Sequence, residues 1–184
     1  MRTLTIDKTK EWTIEDYLLL GETNMPCQLI NGELIMSPAP TPKHQRVARN
    51  IFKAFDQLLS NKGEVFFSPI DLYVDSRNVF QPDLIFIANQ NKNVISERGI
   101  EGPVEVVVEI ISPSNSYTDR NQKKDLYLKF KVGEYWIVDP GNKTIEIYTP
   151  ESGPAVPAFF VSQEGEVKST LFPELTINLK QVFS

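Results

Sequence analysis

The apolar and polar positions of this chain fall into short, sharply ended runs, and one run organises the rest. Val104-Glu105-Val106-Val107-Val108-Glu109-Ile110-Ile111 is β-branched and almost wholly apolar, with Gly102-Pro103 before it and Ser112-Pro113 after. Such a run predicts a strand buried on both faces. Side chains alternate along a strand, so Val104, Val106, Val108 and Ile110 share one face, and Glu105, Val107, Glu109 and Ile111 the other. Glu105 stands at the beginning of the run, within reach of water. Glu109 lies deep in it, where an ionised carboxylate is expensive unless it meets a cation, a metal or several donors. A structural ion pair would answer that demand as well as a functional site would.

Around this strand the periodicity predicts two main helices and several paired strands. Thr13-Ile14-Glu15-Asp16 reads as an N-cap with first-turn acids, opening a short helix through Leu20. Asn31-Gly32, between Gln28-Leu29-Ile30 and Glu33-Leu34-Ile35-Met36, suits a two-residue hairpin turn and leaves Glu33 just beyond it. Thr41-Pro42 opens a helix to about Ser60. At about 100° per residue, Val47, Ile51, Phe55 and Leu58 form an apolar stripe that contains His44, with Arg46, Arg49 and Lys53 on the opposite side. His44, the single histidine, thus faces inward, either as a satisfied core residue or as a functional one.

Strands are predicted at Glu64–Ser68, at Asp71–Asp75 and, after Pro82, from Asp83 to Ala88. Asn91–Gly102 is a loop or short helix, and Ser112-Pro113-Ser114-Asn115-Ser116 a turn. Asp119 then begins a helix through about Lys131. On its wheel Leu126, Tyr127 and Phe130 make the apolar side, Lys123 points between them, Asp119 lies one turn earlier and Lys124 falls on the flank. Of the two lysines Lys123 is the one aimed at the sheet, whether it buries its charge or only its stem. Tyr135–Asp139 and Thr144–Tyr148 read as a hairpin, Phe159–Ser162 and Glu166–Ser169 as two further strands, and Leu171-Phe172-Pro173 with Leu175–Leu179 as an apolar tail that packs back.

Composition narrows the classes. At 184 residues and 41% hydrophobic, the chain has the size and make-up of one globular domain. No apolar run approaches the roughly 18 residues of a membrane span, and no signal-peptide pattern opens the sequence, so no membrane partner is expected. A single cysteine, Cys27, excludes internal disulfides and cysteine-built zinc sites, which makes a reducing, cytoplasmic setting the expectation. A net charge of −5 argues against a general nucleic-acid coat. It leaves room for an enzyme with a few well-placed cations.

The strands that hold Asp83 and Glu109, joined by a connection of about crossover length, can pair as neighbours. Two carboxylates at adjacent strand positions repel unless a divalent cation sits between them, and oxygen ligation suits Mg²⁺ or Mn²⁺ rather than Zn²⁺. A nearby lysine would stabilise charge building on a phosphate.

At these residues the sequence resembles the Uma-type putative restriction endonucleases of the PD-(D/E)XK nuclease superfamily. The likeness rests on Pro82-Asp83, on Glu109 in Val-Val-Glu-Ile-Ile-Ser-Pro-Ser, and on Tyr135-Trp136-Ile137-Val138-Asp139-Pro140. It runs from about Trp12 to Phe183 and takes in Gln28 to Glu33, Ser37-Pro38 with His44, Ser68-Pro69-Ile70-Asp71 and Phe172-Pro173. The resemblance implies one nuclease-like domain over residues 1–184, of mixed α/β (α+β) class, with a restriction-endonuclease-like mixed β-sheet flanked by helices. It also implies a site in which Asp83 takes the place of the first acid and Glu109 of the second, with Glu33 as the upstream acid and His44 as the helix histidine. The superfamily lysine should stand at position 111, which is isoleucine here. In the Uma-type family a lysine on the following helix substitutes, and the matching residue is Lys123. Lys131 stands where these sequences often carry glycine.

Three functions follow as alternatives. The first is a Mg²⁺- or Mn²⁺-dependent endonuclease that hydrolyses DNA, with Asp83, Glu109 and Glu33 at the metal, Lys123 by the nucleophile and His44 orienting water or phosphate. Basic residues on two helices (Lys43, Arg46 and Arg49; Lys123, Lys124, Lys129 and Lys131) would track the DNA backbone, and double-strand cutting would call for a homodimer. The second is a non-catalytic binding module on the same fold. The third uses two carboxylates for glycoside chemistry, and an inward lysine that keeps both ionised counts against it.

Overall fold

The computed structural model describes residues 9–21, 26–113 and 116–184. Its centre is a six-stranded sheet in the order β10-β9-β8-β7-β6-β3. These strands are β3 (Gly63–Phe67), β6 (Leu84–Ala88), β7 (Val106–Ile110), β8 (Glu134–Asp139), β9 (Thr144–Tyr148) and β10 (Phe159–Ser162). All neighbours are antiparallel except β7 and β8, which run parallel. β7 is the predicted central strand, and all five of its residues are buried.

Both faces of β7 are covered for the reason its composition suggests. On one face α2 (Pro42–Leu59) lays Val47, Ile51, Phe55 and Leu59 against Leu84, Phe86, Val106, Val108 and Trp136. Phe55 meets Trp136 edge-on at 5.4 Å between ring centroids. The stripe ends on Leu59 and not on Leu58, because burial follows i, i+4 steps from Ile51. On the other face Ile85, Ile87, Val107 and Ile137 pack with Tyr127 and Leu128 of α3 (Lys124–Lys129), and with Ile30, Leu72 and Phe80. The last three belong to a four-stranded sheet ordered β2-β1-β5-β4, made of β1 (Cys27–Ile30), β2 (Glu33–Met36), β4 (Leu72–Asp75) and β5 (Asn78–Phe80).

Several expectations change here. β5 is too short to show in periodicity. Its side-chain anchor is Asn78, which donates to Asp75 at 2.8 and 3.0 Å and accepts the Asn31 N–H at 2.8 Å. The first helix, α1 (Ile14–Leu18), stops short of Leu20, although its Thr13–Asp16 capping box forms as read. The link from β6 to β7 is no crossover, since the two strands are antiparallel and a 3₁₀ turn at Asn89–Val94 reverses the chain between them. The crossover is the next connection, which carries the chain from β7 over α3 to parallel β8. It begins with a π-helical turn at Thr118–Lys123, and of the predicted turn before it Ser114 and Asn115 lie outside the described residues. It ends with Lys131 at φ 65°, where the Lys131 N–H bonds Leu128 and the Val132 N–H bonds Tyr127, a Schellman close that normally favours glycine at that position. The tail forms β11 (Glu166–Lys168), β12 (Thr176–Asn178) and α4 (Leu179–Val182), and it packs onto α2 and β6 through Leu179, Val182 and Phe172.

Candidate active site

The antiparallel register of β6 and β7 pairs Leu84 with Val108. One step further along the same ladder brings Asp83 opposite Glu109, on adjacent strands and on one face. Pro82 cannot join the ladder, so the strand starts after it and the Asp83 side chain is left at the sheet end. The Ile110 N–H holds that carboxylate, donating to Asp83 Oδ2 at 2.7 Å.

α2 adds the histidine. Thr41 caps the helix by accepting the His44 N–H at 3.3 Å, which fixes His44 in the first turn above the ends of the strands. His44 Nε2 lies 3.2 Å from Asp83 Oδ2. Burial works against a charge on the ring, but the hydrogen bond and charge of Asp83 outweigh it and raise its pKa. Since Nε2 faces a carboxylate, Nε2 carries a proton, and Nδ1 is left buried without a hydrogen-bond partner.

The crossover brings the lysine. Arg120, in the π-helical turn, is clamped by Glu146 and by Asp139 at 3.1 Å, and the Tyr135 hydroxyl donates to the Asp119 carbonyl at 3.0 Å. These bonds seat the turn against β8 and β9 and aim Lys123 down at β7. Lys123 is 2% exposed, and its Nζ lies 2.8 Å from Glu109 Oε1 and 3.2 Å from Asp119 Oδ1. The Tyr127 hydroxyl donates to the same Glu109 oxygen at 2.9 Å. Lys124 turns outward and places its Nζ 4.6 Å over the Tyr148 ring. Asp119 and Lys123 both face inward from a π-helical turn, a form common at functional sites.

Acids outnumber cations here. Burial disfavours the Lys123 ammonium, yet Glu109 and Asp119 together raise its pKa and keep it protonated. Burial pushes the Glu109 carboxyl up to about 8, with Lys123 pulling the other way, and it raises Asp119 as well. Three carboxyls, Asp83, Glu109 and Asp119, thus share one lysine and one histidine, and the crowding contributes to the raised pKa values of Glu109 and Asp119.

Asp83, Glu109, Lys123 and His44 line one cavity of about 630 Å³. Three Ser-Pro pairs, Ser37-Pro38, Ser68-Pro69 and Ser112-Pro113, line it too, and so do Gln28 and Gln81. Glu33 does not. It stands exposed at the turn end of the β1–β2 hairpin, whereas the hairpin meets the cavity at its other end through Gln28 and Ser37. The expectation that Glu33 joins the other acids is therefore corrected by the direction of the hairpin. Asp119, Gln28 and Gln81 were not singled out as site residues. For Asp119 the sign was present, since it is an acid four residues before Lys123 on the same side of the helix. For the two glutamines no local sign exists.

A divalent cation fits the donors present. Among the described residues no group of three or more His, Cys, Asp or Glu side chains forms a ready cage. Mg²⁺ needs none, because it is usually bound by one or two carboxylates together with water and substrate phosphate. Asp83 and Glu109 supply two carboxyl groups to one cavity, with Asp119 as a third acid beside Lys123. Among the described residues, His44 Nδ1 and Gln81 Oε1 are buried side-chain atoms without a hydrogen bond, and both residues line the cavity. Unmet polar capacity gathers where a ligand would enter.

Comparison with known proteins gives the chain a family and a fold relative. The family model Uma2, described as "Putative restriction endonuclease", matches residues 14–180. An uncharacterised protein of Synechocystis sp. (strain PCC 6803) is 27% identical over 150 residues, which are 79% of this chain and 84% of that protein. Among solved structures, a putative nuclease of the DUF820 group from Anabaena variabilis superposes with a TM-score of 0.76 at 21% identity, over 93% of this chain and 97% of the other. At that identity the likeness is one of fold.

Proposed function

This chain belongs to the Uma2 family of putative restriction endonucleases, and on that premise we propose that it hydrolyses phosphodiester bonds in DNA with the help of Mg²⁺ or Mn²⁺. The observation that carries the reading is the buried Lys123–Glu109 pair opening, with Asp83 and His44, onto a single cavity. A structural ion pair needs no cavity, and a core lysine needs no second acid beside it. Membership and fold do not establish activity, which depends on the site itself.

Each residue then has a part. Asp83 and Glu109 would hold the cation, which would polarise the phosphate and make water a better nucleophile. Lys123, kept charged by its carboxylates, would stabilise the negative charge that builds on the phosphate oxygens in the transition state. His44 lines the cavity and keeps Nδ1 without a hydrogen-bond partner. In the protonated form that its raised pKa favours, it donates to a phosphate oxygen. Tyr127 and Asp119 fix Glu109 and Lys123 in place. Glu33 takes no part. A homodimer would bring two such sites to the two strands of a duplex.

Cleavage of plasmid DNA in Mg²⁺ or Mn²⁺ tests the assignment. Lys123→Ala should slow turnover by roughly 10²–10³-fold, the scale of one electrostatic stabiliser, while Lys124→Ala keeps most of it, with folding of both checked by thermal melting. Equal losses would show that the helix lysine is misassigned. A wild-type protein that binds oligonucleotide and never cuts would leave a binding module.

A further inference from the structure

We propose that the exposed basic face of α2, and not that of α3, is the surface that carries duplex DNA away from the cavity. This rests on the nuclease reading above and names where its substrate lies.

The two helices that concentrate positive charge differ in what their cations do. On the α3 side Lys123 is consumed inside the cluster and Lys124 stacks on Tyr148. Lys129 and Lys131 stand at the far end of the helix, outside the cavity lining. On α2, Arg46, Arg49 and Lys53 are all exposed, and among the described residues none of them pairs with a carboxylate. The helix has no acid before Asp56, in a chain whose net charge is −5. Local charge on this face therefore opposes the sign of the whole.

The face begins at the site. Lys43 and His44 line the cavity, and the Lys43 ammonium donates to the Pro140 carbonyl at 2.7 Å, tying the start of α2 to the β8–β9 turn. From Lys43 the cations recur at 46, 49 and 53, an i, i+3, i+6, i+10 spacing that keeps them within about a third of the helix circumference. At about 1.5 Å of rise per residue, the ten steps from Lys43 to Lys53 span about 15 Å. That length matches about four phosphates of one strand at about 3.4 Å of axial rise each. No aromatic side chain lies in that arc, so the stacking platforms that serve single strands are missing there. A row of cations without carboxylate partners on a rigid helix can meet several phosphates of one backbone.

The experiment is duplex binding without cleavage, in chelator, over a series of salt concentrations. Wild type is compared with Arg46→Gln/Arg49→Gln/Lys53→Gln on α2 and with Lys124→Gln/Lys129→Gln/Lys131→Gln on α3. All of these side chains are at the surface, and thermal melting confirms that each variant is folded. The α2 variant should lose about two to three from the magnitude of the slope of log K against log salt, since each phosphate contact contributes about 0.9. The α3 variant should keep the wild-type slope. Unchanged binding by the α2 variant, an equal loss by the α3 variant, or tighter binding of single-stranded DNA or RNA than of duplex would overturn the assignment while leaving a nucleic-acid enzyme in place. Failure of wild type to bind duplex even at low salt would remove the nuclease reading and this surface with it.

Discussion

Two buried glutamates on neighbouring parallel strands, Glu109 of β7 and Glu134 of β8, meet the same problem in opposite ways. Glu134 is fully buried and takes its hydrogen bonds from neutral groups alone. Trp136 Nε1 donates at 2.8 Å, the Ser169 hydroxyl at 3.0 and 3.1 Å, the Thr170 hydroxyl at 2.6 Å and the Leu171 N–H at 2.9 Å, with the Thr170 N–H also bonded. Glu134 does not line the site cavity, and apart from the Trp136 bond within β8 its hydrogen bonds fasten the tail segment to the strand. Glu109 instead has its satisfied oxygen shared by Lys123 and Tyr127, two more acids close by and a cavity in front. A closed ring of donors makes an anchor. An open one, with a cation that could serve a substrate, makes a site.

The largest effect expected from this contrast is on stability. Glu134→Gln puts an amide N–H₂ among five donor groups and strands several of them, which should cost about 3 kcal/mol and lower the Tm by roughly 6–12 °C. Glu109→Gln should cost less than half as much, because Lys123 keeps Asp119 and the crowding of acids is relieved. Chemical denaturation of both variants decides the matter, and the reverse order would erase the distinction between anchor and site.

A middle effect lies in pH. Folding raises the pKa of His44, so its protonated ring favours the folded state. That contribution is complete below the ordinary histidine value of 6.5 and is lost as pH rises through the raised folded value. In metal-free protein the stability gap between wild type and His44→Gln should therefore be wider at pH 6 than at pH 9. A gap independent of pH would mean that the Asp83–His44 contact does not hold charge.

The smallest effect is a control on the connection between the two glutamates. Lys131 occupies a left-handed position that glycine fits without strain. Lys131→Gly should raise stability by about 0.5–1 kcal/mol and leave DNA cleavage unchanged. A loss of cleavage would show that the site depends on the far end of the crossover as well as on its π turn.

The same contrast explains what could be read in the sequence. Glu109 announced itself, because a carboxylate in the middle of a β-branched run has no cheap explanation. The helical wheel separated Lys123 from Lys124 correctly even though the turn is π-helical, since a one-residue widening rotates the face without reversing it. Glu134 stayed hidden because its donors come from residues 169–171, some 35 positions later, and no local pattern signals such a ring. Glu33 was misplaced by resemblance of position: a hairpin has two ends, and only its geometry says which one meets the cavity. The antiparallel pairing of β6 and β7 was equally beyond reach, as loop length permits either sense.

Calorimetric titration with Mn²⁺ in the absence of DNA tests most directly whether the open glutamate is a site. Wild type should bind the ion, and Asp83→Asn and Glu109→Gln should each weaken that binding by at least about tenfold, while Lys124→Ala binds as wild type does. Mn²⁺ binding of equal strength in wild type and in both acid variants would place the metal elsewhere and contradict the assignment of Asp83 and Glu109.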